Sequence, residues 1–157
     1  MVDIRGKAVT VRKAVARGEI KMNSRTLSLI SQGSLPKGDV LTAAQIAGIM
    51  AAKRTQELIP LCHQINLTAV DVQLHLDLER SVVEVEASVE LEGKTGAEME
   101  ALMAVAVSCL TVYDMCKAVD KGMEIGRIRL VEKSGGRSGT FLREGEQRNG
   151  GEPGISC

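Results

Sequence analysis

Two stretches of alternating residues, joined by a short turn, constrain the fold more than any other feature of this sequence. From Val70 to Leu78 every second residue is aliphatic, and the residues between them are charged or polar. A second such stretch runs from Val83 to Leu91, and Glu79 to Ser81 connects the two. Successive side chains of a strand point to opposite faces. The pattern therefore predicts an antiparallel hairpin with one apolar face, and it places His75 on the solvent face, where we assign it no role.

The segment before this hairpin predicts one further strand and a short helix. Residues from Lys7 to Met22 alternate in polarity, which indicates an extended segment, and Gly18 within it indicates a bend. Asn23 or Ser24 can cap a short helix, because both side chains carry a suitable oxygen. That helix is expected to end before Gly33.

A second, longer helix is predicted from about Asp39 to Leu58. Its apolar residues Ile46, Ile49 and Met50 recur at helical spacing. The turn that precedes it has the sequence LPKGD and carries Lys37 at its tip. Surface lysines in such turns are often merely solvated, so the position alone does not assign a role to this side chain.

A third helix is predicted after the hairpin, and a last strand follows it from Met123 to Ser134. Thr95 and Glu98 have the spacing of a capping box, and the helix should run to about Val119. Its predicted apolar stripe consists of Met103, Ala106, Val107 and Leu110, with Leu102 and Val105 on one flank. This order of elements predicts an α+β fold with helices packed on one face of an antiparallel sheet. We expect one domain over residues 1–141 and a flexible tail over residues 142–157.

The composition excludes several classes of function. One Tyr, one Phe and no Trp argue against nucleic-acid binding by base stacking. Lys plus Arg equals Asp plus Glu at 20 each, so no overall field attracts a polyanion. We therefore expect no nucleic-acid partner. Charged residues interrupt the N-terminal segment, and no stretch is read as a membrane span, so we expect neither a signal peptide nor a membrane contact.

The cysteines form no CxxC pair and no zinc-binding spacing. They are Cys62, Cys109, Cys116 and Cys157. We therefore expect no metal and no other cofactor. Reduced thiols are typical of a cytoplasmic protein, which is the location that we expect.

A histidine directly after the second helix is the first candidate for chemistry. Pro60 ends the helical pattern, so Cys62 and His63 fall on a short connector before the next strand. Histidine can exchange a proton near neutral pH, and a neighbouring thiol can do so in a favourable environment. The alternative is a structural histidine at a helix end.

A second candidate lies late in the third helix. Asp114 and Lys117 are one turn apart, so their side chains meet on one face. They form either a surface ion pair or, because the preceding turns are apolar, an acid/base pair in a crevice. Glu100 has no local explanation, which leaves it free to bind a polar ligand. Lys133 and Arg137 bracket a glycine-rich segment that could hold phosphates.

Together these residues closely resemble the cyclic pyranopterin monophosphate synthases, the molybdenum cofactor biosynthesis protein C family. The matching blocks are MVDI, KGDV, IAGIMAAKRT, LIPLCH, GKTGAEMEAL, YDMCKA and VEKSGGRSG. The resemblance implies a ferredoxin-like subunit and a homo-hexamer, a trimer of dimers with active sites at subunit interfaces. It also implies a nucleotide-derived substrate, cyclised dihydro-GTP, which is converted to cyclic pyranopterin monophosphate with release of pyrophosphate and without a cofactor.

The resemblance also implies roles for individual residues. The implied catalytic residues are Asp114, Lys117 and Lys37. The implied substrate-binding residues are Leu61, Cys62, His63, Glu98, Met99, Glu100, Lys133 and Arg12. The sequence departs from the family pattern at Gln64, where proline is usual, and at Arg137, where lysine is common. A non-catalytic metabolite-binding module of the same α+β type is the alternative interpretation, because a fold does not determine a function.

Overall fold

The fold is a five-stranded antiparallel sheet with helices packed against it. A computed structural model of the chain describes residue 1 and residues 3–147. Its elements are β1 (Thr10–Lys21), α1 (Ser24–Ser31), α2 (Val40–Lys53), α3 (Thr55–Leu58), β2 (Leu67–Asp77), β3 (Val82–Gly93), α4 (Glu98–Cys116), β4 (Glu124–Ser134) and β5 (Phe141–Leu142). The strand order is β2-β3-β1-β4-β5, with β1 paired to both β3 and β4. This arrangement confirms the predicted α+β, ferredoxin-like class.

The predicted hairpin forms with the register that its alternation requires. Val72 pairs with Ala87, and both are fully buried. Val83, Val85 and Val89 alternate with half-exposed residues along β3 and face the helices. Burying one apolar face in this way fixes the register, because a shift by one residue would turn every aliphatic side chain toward water.

The bend predicted at Gly18 is present in β1. The pairing of β1 with β4 shifts register between Arg17 and Glu19, which is a β-bulge next to the glycine. A Cβ atom at Gly18 would lie 2.6 Å from the Val105 Cγ1 of α4. The missing side chain therefore lets α4 approach the centre of the sheet.

Helices α2 and α4 pack closely against each other on one face of the sheet. A Cβ atom at Gly48 would clash with the Ser108 Oγ, and the same hydroxyl donates a hydrogen bond to the Ala44 carbonyl at 2.9 Å. Ala101 and Ala104 are fully buried on this face of α4. Small residues therefore line the contact between the two helices.

The predicted apolar stripe of α4 is wrong, because other residues of that helix face the core. Leu110 is 57% exposed, and Met103 and Val107 are only partly buried. Of the predicted residues only Val105 is buried, and the buried residues of the helix are Glu100, Ala101, Ala104, Val105, Ser108, Cys109, Val112 and Cys116. Apolar residues surround α4 on every side, so helical periodicity could not identify the buried face.

The outer sides of α2 and α4 remain apolar and uncovered in a single chain. Ile46 and Met50 of α2 are about half exposed, as is Leu110 of α4. By length and composition alone α4 could span a membrane, contrary to the expectation that no segment could. Half of its apolar window is buried inside the fold, however, as in the core helix of a globular domain.

Two predicted helix boundaries also differ from the structure. The helix expected to continue to Leu58 is interrupted at Arg54, and α3 forms a separate short turn. The capping box predicted for α4 does not form, since Ala97 occupies the N-cap position without a side-chain hydrogen bond. Glu98 instead forms an ion pair with Lys133 of β4 at 3.0 Å.

The segment after Phe141 is attached to the sheet where the structure describes it. Phe141 and Leu142 form β5 against β4, although no structure was expected from residue 142 onward. The Glu146 carboxylate accepts a hydrogen bond from Arg17 at 2.6 Å and also pairs with Arg129. Residues 148–157 of the expected tail lie outside the described residues.

Candidate functional site

At the C-terminal end of α4, one carboxylate lies between two lysines. The Asp114 Oδ1 atom lies 2.7 Å from the Lys117 Nζ, and its Oδ2 atom lies 2.7 Å from the Lys37 Nζ. The Lys37 ammonium also donates to the Asp114 carbonyl oxygen at 3.1 Å. The turn before α2 presents this lysine, and Gly38 adopts the positive φ that the turn requires. We call these three residues the lysine–aspartate cluster.

The electrostatics of this cluster favour the charged forms of Asp114 and Lys117. Hydrogen bonds from Lys117 and then Lys37 lower the pKa of Asp114 to about 2. The hydrogen bond to Asp114 in turn raises the pKa of Lys117. At neutral pH the cluster is therefore an anion held between two ammonium groups, and it carries a net positive charge.

The described residues of a single chain do not form the crevice that was expected around Asp114 and Lys117. Both side chains are 54% exposed, and that of Lys37 is 49% exposed. The preceding turns of α4 are apolar, but their uncovered side does not enclose the charges. The cluster is open to anything that docks against this end of the helix.

A second group of candidate residues surrounds a cavity at the N-terminal end of α4. The cavity has a volume of about 340 Å³. Leu61, Cys62 and His63 line it from the connector between α3 and β2, opposite Glu98, Met99 and Glu100 of the first turn of α4. Two sequence-predicted groups, LCH and EME, therefore meet here. We call this the first-turn cavity.

The two glutamates of the first-turn cavity have different environments. Glu98 is about one-third exposed and forms the ion pair with Lys133. Glu100 is only 4% exposed, and burial raises its pKa, with a further contribution from the charge of Glu98. The pKa of the Cys62 thiol is also raised, by burial and then by the charge of Glu100.

The glycine-rich segment after β4 lies beside this cavity, at the end of the sheet where β1 begins and β4 ends. Gly135 and Gly136 both have positive φ, and a side chain at Gly136 would overlap the Arg12 guanidinium. The Arg12 Nε donates to the Gly93 carbonyl at 3.0 Å. Arg137 is exposed. Arg12 and Lys133 thus bring two cations to the end of the sheet that carries the first-turn cavity.

The two groups of candidate residues do not converge in one chain. Glu100 and Asp114 are fourteen positions apart on the same helix. At a rise of 1.5 Å per residue, their backbone positions are separated by about 21 Å. Helix α4 carries part of each group, one at either end, and a single chain leaves the two groups apart.

Two polar features were not identified from the sequence. Asp120 is 5% exposed and accepts hydrogen bonds from the Asn23 and Gly122 amides and the Thr26 hydroxyl, so it ties α1 to the end of α4. On the other face of the sheet, exposed His75 lines a cavity of about 480 Å³ among paired arginines and glutamates. Among the described residues, no group of three His, Cys, Asp or Glu side chains could hold a metal ion.

The fold and these two charged groups define a ferredoxin-like subunit that handles a small polar molecule. The chain belongs to the MoaC family, whose model matches residues 1–136. Three similar proteins are each described as a cyclic pyranopterin monophosphate synthase. The one from Pelotomaculum thermopropionicum is 60% identical over 94% of this chain and 86% of its own length. Those from Roseiflexus sp. strain RS-1 and Heliobacterium modesticaldum are 59% and 56% identical, each over 92% of this chain and 91% of their own lengths.

Proposed function

We propose that this chain is a cyclic pyranopterin monophosphate synthase of molybdenum cofactor biosynthesis. It converts cyclised dihydro-GTP to cyclic pyranopterin monophosphate and releases pyrophosphate. The observation that carries this proposal is the identity of about 60% to a synthase of that name, over 94% of the chain. The lysine–aspartate cluster and the first-turn cavity support it, because both contain residues that the family resemblance implies.

Proton transfer and charge stabilisation divide between the residues of the lysine–aspartate cluster. With a pKa of about 2, Asp114 is a weak base. We therefore assign it the electrostatic role of holding Lys117 and Lys37 in place and of keeping Lys117 protonated. The two lysines then exchange protons with the substrate during rearrangement of the ring. The same positive charges stabilise the charge that develops on phosphate oxygens as pyrophosphate leaves.

The residues at the first-turn cavity bind the substrate. His63 and Glu100 face the space that a ring would occupy, next to Leu61 and Cys62. Lys133 and Arg12 supply positive charge at the same end of the sheet. No metal or organic cofactor is needed for these roles, and chelation of transition metals should leave turnover intact.

The complete site is assembled between copies of the chain in a homo-oligomer. The separation of about 21 Å along α4 is too large for one substrate to bridge both groups in one copy. The half-exposed lysine–aspartate cluster and the uncovered apolar residues Ile46, Met50 and Leu110 support a contact between copies. We propose a hexamer, a trimer of dimers, as the family resemblance implies. Sedimentation of a stable, active monomer at micromolar concentration would contradict this.

A turnover assay separates this function from the alternative of a non-catalytic metabolite-binding module. The purified protein is incubated with cyclised dihydro-GTP, and pyrophosphate release is measured beside the Asp114→Asn variant. Release by the parent alone supports the synthase. Binding of the nucleotide without release by either protein would support the binding module.

We place the enzyme in the cytoplasm, because Cys62, Cys109 and Cys116 are free thiols.

A further inference from the structure

Two carboxyl groups only two positions apart in the first-turn cavity are held in opposite ways. The Glu98 carboxylate has a cation, Lys133, at 3.0 Å. Glu100 is 4% exposed, and no ion pair reaches its carboxyl group from the described residues. A buried carboxylate without a cation is costly, and such a group takes its neutral form instead. Environments that separate two carboxyl groups in this way commonly divide their chemical roles.

We propose that Glu100 works in its neutral, protonated form and recognises an amide-type edge of the substrate ring, a carbonyl beside an N–H. A neutral carboxyl group offers one O–H donor and one acceptor oxygen side by side. It therefore pairs with such an edge through two parallel hydrogen bonds. An ionised carboxylate offers acceptors only and would select an edge with two donors. Guanine-derived rings carry both kinds of edge, so the protonation state of Glu100 decides how the ring is oriented.

Burial and the charge of Glu98 favour the neutral form of Glu100, whereas a cation at the same cavity opposes it. Lys7 from the N-terminal segment, and Cys62 and His63 from the connector, line the same cavity. Lys133 forms its ion pair with Glu98. The negative charge of Glu98 in turn opposes ionisation of Glu100. Burial is the largest effect and raises the pKa of Glu100, although a smaller effect, the hydrogen bond to its own backbone amide, lowers it.

Comparing three variants tests this assignment, which rests on the proposed function for its substrate. Glu100→Ala removes both hydrogen bonds and should raise KM for cyclised dihydro-GTP by about tenfold or more. Glu100→Gln keeps one donor and one acceptor and should recover most of that loss. Glu98→Gln is the matched control two positions away. It should lower activity even though it is the same conservative change, because it removes the carboxylate that pairs with Lys133. Equal losses in Glu100→Gln and Glu100→Ala would overturn the proposal.

Two measurements need no substrate and separate failure of this inference from failure of the proposed function. The infrared spectrum of the parent at neutral pH should show a protonated carboxyl band that Glu100→Gln lacks. The folded state of the parent binds a proton more tightly than the unfolded state, so its stability should fall as pH rises through the raised pKa of Glu100. Glu100→Gln should lack that fall. A parent without the band and without the fall would overturn the inference, even if pyrophosphate release is normal.

Discussion

Asp114 is the residue on which the charges at the C-terminal end of α4 depend. It is exposed and yet fully ionised, because Lys117 and Lys37 each donate a hydrogen bond to one of its oxygens. Surface pairs of this kind contribute little to folding stability. If the proposed function is right, the arrangement matters because it positions both lysines and keeps Lys117 protonated.

We expect Asp114→Asn and Lys117→Ala each to lower turnover strongly while the fold is retained. Loss of a group that transfers protons, or that positions one, typically costs about a hundred- to ten-thousandfold in rate. Pyrophosphate release and thermal melting should be measured for both variants beside the parent. Near-normal turnover with a lowered melting temperature would instead identify a structural ion pair.

The pH dependence of turnover should distinguish the roles of these two residues. Since Asp114 raises the pKa of Lys117, the activity that needs the protonated lysine persists to higher pH in the parent. Asp114→Asn removes that support and should move the basic limb of the residual activity to lower pH. The measurement is kcat against pH for the parent and for the variant. An unchanged basic limb would contradict a role for Lys117 as the proton donor.

Asp120 offers a contrasting residue whose role is structural. Its side chain accepts from the Asn23 amide at 2.8 Å and from the Gly122 amide at 3.0 Å. Asp120→Ala removes the acceptor of these part-buried amides and of the buried Thr26 hydroxyl, and it should lower the free energy of unfolding by about 1–3 kcal/mol. Denaturant unfolding tests this, and turnover per folded molecule should stay at the parent value. A variant as stable as the parent would show that water replaces the carboxylate.

At the scale of elements, the close contact between α2 and α4 determines how the helices are held. Gly48→Ala should destabilise the protein by about 1–3 kcal/mol, because the added methyl group overpacks the contact. Alanine is a better helix former than glycine, so helix propensity alone predicts the opposite sign. Thermal and denaturant unfolding measure the change. Greater stability in the variant would mean that the helices can separate without cost.

A double variant isolates the contact responsible. The Ser108 hydroxyl is the nearest atom to a side chain at Gly48, so Ser108→Ala makes room for it. Ser108→Ala alone loses the hydrogen bond to the Ala44 carbonyl. Gly48→Ala combined with Ser108→Ala should therefore be less destabilised than the sum of the single variants. Simple additivity would place the strain elsewhere.

The sequence predicts elements and local pairs well where a strict period or spacing determines them. The β2–β3 hairpin follows from alternation, and the pairing of Asp114 with Lys117 follows from helical spacing. The buried face of α4 does not follow, because every side of that helix is apolar. The contact of Lys37 with Asp114 joins residues 77 positions apart, and no local pattern contains it.

The capping box predicted at the first turn of α4 fails because a contact distant in the sequence replaces it. Thr95 and Glu98 have capping-box spacing, but the competing ion pair of Glu98 with Lys133 comes from a strand that follows α4 in the sequence. Tertiary contacts thus override a local signal. The predicted grouping of Cys62 and His63 with Glu98 and Glu100 came from the family resemblance, and the structure places those residues around one cavity.

At the scale of the whole molecule, a site shared between copies predicts complementation between inactive variants. Asp114→Asn damages the lysine–aspartate cluster, and Lys133→Ala damages the side of the first-turn cavity. When the two variants are mixed at equal amounts and exchange subunits, a site built from two copies escapes both changes in about a quarter of cases. Pyrophosphate release should rise accordingly on mixing.

The matched control is a mixture of Asp114→Asn with Lys117→Ala. Both changes damage the same cluster, so no combination of these copies contains an intact site. Activity in this control mixture, or no recovery in the first mixture, would contradict a site shared between copies. Native mass spectrometry of the mixture should establish that the subunits have exchanged, because mixed assemblies have masses between those of the two unmixed ones.

Helix α4 also limits how the length of this chain can change. Because the helix carries candidate site residues at each end, its nineteen residues determine the distance between them. Inserting one residue in its middle would rotate one end against the other by about 100° and lengthen the spacing by about 1.5 Å. No side-chain substitution could correct both displacements. If both ends of α4 serve the proposed function, we expect insertions and deletions to be tolerated in the connectors and not within this helix.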